Sequence, residues 1–292
     1  MKGFNADFSY LDIKERIEYF AVFGGFWDLE SLHVYESLEE NIIYNILGRY
    51  DEFKSRFSYT EDSNLQNDLN TLLFRIAVGD RKSHSIYKND ITQPRGKELY
   101  KFLFDKKIIN KEYSRERTPV KLPGLKLKKE LRRYKIEDKI LFRDNFTRFW
   151  FTFINPNQKK IEKGDFAEVS DIIKKELDKF ISFTFESLSN ELIKTSFKND
   201  PIVEAGSYWD KEIELDLLAK TRTDTLIAGE CKWKNQRISK NILNKLQKKC
   251  EIANFDVDYF ALFSKSGFSN ELQKMKNNQL LLYDLEDFNT LL

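Results

Sequence analysis

Apolar residues recur at helical spacing through the first third of the chain. Ile13, Ile17, Phe20 and Ala21 fall three and four apart, and Gly24-Gly25 interrupts them. Leu38, Ile42, Ile43, Ile46 and Leu47 resume the pattern, so residues 11–57 read as helical. Leu65, Leu69, Leu72, Leu73 and Ile76 form a second stretch ending at Gly79, and a third runs from Thr92 to Phe104. The chain then turns extended, in two ribbons around a Pro-Gly loop (IINKEYSRERTPVKLPGLKLKKELRRYKIED). A short helix followed by such ribbons predicts a winged-helix arrangement, with a helical bundle carrying a charged hairpin as the alternative. Residues 146–155, FTRFWFTFIN, are too aromatic to lie in water and predict a packing joint. Pro156 and the polar run NQKKIEKGD mark a linker after it.

The last third changes period. A long helical pattern from Val169 to Lys194 precedes two segments, KEIELDLLAK (211–220) and TLIAGECKWK (225–234), which read as half-buried strands joined through TRTD. A helix at Lys240 to Ala253, a strand DYFALFS (258–264) and QLLLYDLEDFNTLL, a strand with a terminal helix, complete the order α-β-β-α-β-β-α. The expected architecture is therefore α+β: a helical and winged-helix region over 1–145, an aromatic joint and linker over 146–165, and an α/β domain over 166–292.

Composition supports real cores, with 41% hydrophobic residues and 14% aromatics in 292 residues. The net charge of +2 says nothing about partners, but its distribution does. Residues 106–135 hold twelve basic side chains against three acidic ones, and residues 231–250 hold seven against none. Cys231 and Cys250 form no metal-binding pair and read as reduced thiols, which suggests a cytoplasmic protein. The start lacks an apolar leader, and no apolar run is long enough for a membrane span. His33 and His84 stand far from any carboxylate motif.

The spacing that carries chemistry is Glu214-x-Asp216, thirteen residues, then Glu230-x-Lys232. Residues two apart on a strand share a face, so Glu214 should point with Asp216, and Glu230 with Lys232. Paired through the TRTD turn, the strands bring carboxylates and an ammonium to one sheet edge. Crowded carboxylates repel, and a hard divalent cation relieves the repulsion. Mg²⁺ or Mn²⁺ held by Asp216 and Glu230, with Glu186 from the preceding helix as a further ligand, would polarise a phosphate and activate water. Lys232 would stabilise transition-state charge. Against this, E-x-K often arises as an idle ion pair on a solvated face. Here the segment around it (Leu226, Ile227, Ala228, Cys231, Trp233) is apolar, where an idle charge is costly.

The segments FESLSNELI, EAGSYWDKEIELDLLAK, TLIAGECKWK and DYFALFSKSGF resemble the C-terminal domain of unknown function that follows many archaeal-type P-loop ATPases. The core of that domain is similar to the PD-(D/E)XK restriction-endonuclease-like superfamily. YFAVFGGFWDL resembles the helical lid of those ATPases, and residues 65–137 their winged-helix segment. The resemblance implies catalytic roles for Asp216, Glu230 and Lys232, metal ligation by Glu186, Asp216 and Glu230, and Glu214 as an additional acid. A Walker A loop is absent: Gly96-Lys97 is followed by Glu98, so no ATPase activity is expected.

These features imply a metal-dependent DNA endonuclease with duplex DNA as partner. Phosphate contacts are expected from Lys107, Arg115, Arg117, Lys126, Arg132 and Arg133 in the winged-helix region, and from Lys234, Arg237 and Lys240 after the E-x-K strand. The alternatives are a non-catalytic DNA-binding or regulatory protein that keeps the nuclease scaffold, or an interaction partner of a separate ATPase.

Overall fold

The computed structural model describes residues 4, 7–32, 37–84, 87, 90–117, 134–275 and 279–291. From Ile13 onward the described residues form the helices α1 (Ile13–Phe23), α2 (Leu38–Ile42), α3 (Tyr50–Arg56), α4 (Ser63–Val78) and α5 (Gln93–Asp105). Local chemistry sets their starts. Asp12 with Glu15, and Ser37 with Glu40, form reciprocal caps on α1 and α2, and Asp62 accepts from the backbone of Asn64 and Leu65 to start α4. A wide helical turn (Ile43–Leu47) continues α2. After α5 comes the antiparallel ribbon of β1 (Ile109–Glu112) and β2 (Lys139–Phe142), with Ile109 opposite Phe142. The tip of the expected wing, with Lys126, Arg132 and Arg133, lies outside the described residues.

The aromatic block forms α6 (Asn145–Phe149) and a second wide turn (Trp150–Ile154). Phe146, Phe149, Trp150, Phe151, Phe153 and Ile154 are all buried. At roughly 1.5–3 kcal/mol per large apolar side chain, this block contributes on the order of 10 kcal/mol of burial, comparable to the net stability of a domain. The polar run after it is no loose tether. It forms helical turns, including α7 (Gln158–Ile161), and Ile161 is buried in the same core.

Helix α8 (Phe166–Ser196) is the spine, 31 residues long and so about 46 Å. It packs on α1 and α2 and on β3, β4 and β5 of the sheet. That sheet has the order β3 (Ile202–Trp209), β4 (Glu214–Thr221), β5 (Leu226–Lys232), β6 (Tyr259–Ser264), β7 (Leu280–Tyr283). β3, β4 and β5 pair antiparallel, whereas β5, β6 and β7 are parallel. α9 (Lys240–Ile252) and α10 (Asn270–Met275) cover the other face. The α8 face buries Leu217, Ala219, Ile227, Cys231 and Phe263 in a core continuous with the N-terminal helices. The α9 face buries Leu215, Leu218, Ala228, Leu246 and Leu262. The molecule is α+β, with a helical N-terminal region and a five-stranded mixed sheet.

Three expectations change, the first being that α10 (Asn270–Met275) intervenes between β6 and β7, which the sequence pattern runs together. IVEAGSYW forms an eight-residue edge strand, β3, that its glycine and polar positions conceal from a periodicity reading. The chain closes in a tight 3₁₀ turn over Leu285–Thr290, where an α-helix was expected. Among the described residues no helix is long and apolar enough to cross a membrane.

Candidate functional site

The site is made by an irregularity in β4. The ladder runs Gly206 to Leu218 and then Tyr208 to Leu215, so β4 carries one residue more than β3 across this step. Such a bulge flips the facing of every residue beyond it. Leu215 and Leu218 therefore face α9, while Leu217 and Ala219 face α8. Ile213 and Leu215 face α9, so Glu214 between them faces α8, where its charge and that of Asp216 both act on Glu186. Glu214 also pairs with Lys139 of β2, whose side chain is 1% exposed and lies 4.4 Å from the Trp209 ring. As an additional acid, Glu214 is committed to holding the ribbon on the sheet.

Asp216 sits in the bulge itself. β4 and β5 are paired as far as Leu217 and Gly229 and part beyond that point. Asp216 Oδ2 occupies the opening and accepts from the Cys231 backbone N–H at 2.8 Å. Lys232 Nζ lies 3.7 Å from the same oxygen and 2.6 Å from Glu230 Oε1. The alternation of β5 holds as expected, with Glu230 and Lys232 on one face and Cys231 buried on the other. Asp216, Glu230 and Lys232 are thus brought together. Glu186 on α8 is close enough for its ionisation to feel Asp216 and Lys232 in addition to its own burial.

The electrostatics show the crowding. Burial, and then the Asp216 charge, push the Glu186 carboxyl up to about 7, while Arg81 and Lys232 pull the other way. Burial and the Glu230 charge raise Asp216 as well, against Lys232 and the Cys231 hydrogen bond. Burial works to raise Glu230 too, but Lys232 and Lys249 outweigh it and hold that carboxyl low. Lys232 stays charged because Asp216 and Glu230 overcome the burial that opposes its charge.

Two residues escaped the sequence reading. Lys249 on α9 donates to Glu230 Oε2 at 2.8 Å, so both oxygens of Glu230 are held by lysines. Only its place in a basic run hinted at this. Asn190, one helical turn after Glu186, donates to the Glu186 and Asp216 backbone oxygens at 2.9 and 3.1 Å. Both partners are acceptors, so its amide orientation is fixed, and its buried Oδ1 has no partner.

The donor set suits a hard cation. Glu186, Asp216 and the orphaned Asn190 Oδ1 are all oxygen donors, and a cation offsets the burial and the Asp216 charge that raise Glu186. Glu230 joins them only if Lys249 releases it. Among the described residues no group of three or more acids, histidines or cysteines is disposed to hold a metal as it stands. Mg²⁺, which keeps waters and phosphate oxygens beside one or two carboxylates, requires no such cage.

The basic residues divide. Lys107, Arg117, Lys234 and Arg237 are exposed. Lys240 pairs with Glu271 at 3.2 Å. Arg115 turns inward, contrary to a phosphate-contact role. It donates to the backbone oxygens of Gly206, Ser207 and Leu218 at 2.7, 2.8 and 2.9 Å, which are the carbonyls beside the bulge. Gly96 lies within helix α5, buried against Tyr87, and belongs to no phosphate loop.

Residues 150–246 match a family described as Archaea bacterial proteins of unknown function (DUF234). The match begins inside the aromatic joint and ends in α9, so it contains the bulge, Glu186, Asn190, Glu230 and Lys232. An uncharacterized protein of Methanocaldococcus jannaschii is 28% identical over 254 residues, covering 82% of this chain. The chain spans about half the length of that curated relative, 52%. No solved structure matches it.

Proposed function

We propose that this chain is a metal-dependent deoxyribonuclease whose centre is Asp216, Glu230 and Lys232 at the opened ends of β4 and β5. The observation that supports this most is the bulge, which puts a carboxylate in the gap between two strands beside a second carboxylate and an ammonium. The similarity of the surrounding segments to the PD-(D/E)XK superfamily points the same way. Glu186, Asp216 and Asn190 would hold Mg²⁺ or Mn²⁺, which supplies phosphate polarisation and an acidified water when bound. Lys232 donates to a non-bridging oxygen of the scissile phosphate, where negative charge grows. Glu230 orients Lys232 and, once free of Lys249, the attacking water. Water adds to phosphorus and gives up a proton to solvent, a P–O ester bond breaks, and the departing oxygen takes a proton from solvent water. The α4, α5 and β1–β2 region would lie on duplex DNA as a winged helix does, and Lys107, Arg117, Lys234 and Arg237 would meet phosphates.

A second reading, a DNA-binding scaffold without cleavage, is favoured by the two lysines that hold both oxygens of Glu230. Incubation of supercoiled plasmid with Mg²⁺ or Mn²⁺ separates the two. The first reading expects nicking or linearisation, lost about a hundredfold or more in Glu230→Gln and Lys232→Met. Intact but retarded DNA moves the conclusion to the second reading. DNA neither cut nor bound would sink both.

A further inference from the structure

Where α8 passes β2 and the end of α4, the fold leaves a cleft of about 400 Å³, within the range of small-molecule sites. Its wall is largely apolar, with Ile140, Phe153 and Phe183, and its charged lining is Arg81, Arg148 and Lys179 against Glu176 and Glu186. Arg148 is only 6% exposed. Its Nη2 donates to Phe180 O at 3.0 Å and Thr184 Oγ1 at 3.1 Å, and the group lies 3.7 Å from the Phe180 ring centre. Its Nε is buried and has no partner. Among the described residues neither Arg148 nor Arg81 is ion-paired to a carboxylate.

The two cations also share a ring: Arg81 lies 4.1 Å and Arg148 4.8 Å from the centre of Phe183. Like charges on one ring repel. Burial, and then Arg81, push the Arg148 guanidinium down to about 9, with Glu186 offsetting part of this. A buried guanidinium without an anion is costly to keep, and guanidiniums recognise planar or tetrahedral oxyanions through paired N–H groups.

We propose that this cleft binds a small organic anion, its oxyanion head at Arg81 and Arg148 and its apolar body against Ile140, Phe153 and Phe183. The cleft shares Glu186 with the candidate metal site, so the test reads anion binding by the metal-free chain and not cleavage. Binding is tested by calorimetric titration of the full chain with 3-phenylpropionate, phenyl phosphate and the uncharged 3-phenylpropionamide, beside Arg81→Met. Arg81 is half-exposed, so its replacement leaves the core intact, and an unchanged unfolding temperature checks that. Saturable binding of at least one anion, no binding of the amide, and a loss of about tenfold or more in Arg81→Met are expected. Binding by one anion alone also assigns the head as carboxylate or phosphate. Equal binding of amide and anion, wild-type affinity in Arg81→Met, or no saturable heat with either anion overturns the proposal.

Discussion

Lys139 and Glu214 form an unequal pair: the ammonium is 1% exposed and the carboxylate 53%. Glu214→Ala leaves the ammonium against Trp209 with no counter-charge, and orphaned buried charges are costly. A loss of about 2–4 kcal/mol is expected in urea unfolding, with DNA cleavage unchanged where the variant is folded. A neutral effect on stability would refute this role. Glu186 acts in the opposite sense. Its carboxyl rises from the ordinary 4.5 to about 7 in the fold, so the folded chain binds that proton more tightly than the unfolded one. Its contribution to stability is greatest below pH 4.5 and declines as pH rises towards 7. In chelator-treated protein, Glu186→Gln should match the wild type near pH 4 and exceed it by about 1–3 kcal/mol at pH 8. Unfolding curves at the two pH values check this, and identical differences at both would contradict it.

At the scale of the strand or helix, Arg115 and the bulge form one unit. The extra residue in β4 breaks the ladder, and the Arg115 guanidinium takes up carbonyls beside the break. Arg115→Ala is expected to cost about 2–4 kcal/mol and to lower cleavage by misplacing Asp216. The salt dependence of DNA binding should stay as in the wild type, because no phosphate contact is lost. A shallower salt slope would restore Arg115 to the DNA-contact set. Gly25 fixes another junction. Its φ is +92°, and a Cβ there would lie 2.4 Å from Asp144 Cβ, so Gly25→Ala should lower the unfolding temperature sharply by prising α1 from α6. The sequence made much of this scale legible. Helical periodicity marks α4, α5, α8 and α9, and the alternation of Glu230, Cys231 and Lys232 places each on its correct face. A bulge leaves no such trace, because the residues around Asp216 read equally well as a regular strand. Lys249 reaches Glu230 across 19 residues of chain, a contact that only the packing of α9 on β5 creates.

Over the whole molecule, one hydrophobic core runs from Phe8 through the aromatic joint and along α8 to Phe288. Calorimetry should therefore record a single unfolding transition, and residues 166–292 expressed alone should bind hydrophobic dyes and lack a sharp melt. Two resolved transitions would show that the halves fold separately. The extra residue in β4 has a longer consequence for the lineage of such chains. Loss of a single codon there closes the seam between the strands, leaves the carbonyls beside it with partners of their own, and discards the carboxylate. The damage would improve the sheet. Descendants that have lost this acid are then recognisable by a shortened fourth strand and a small neutral residue at position 115, with every core position still intact.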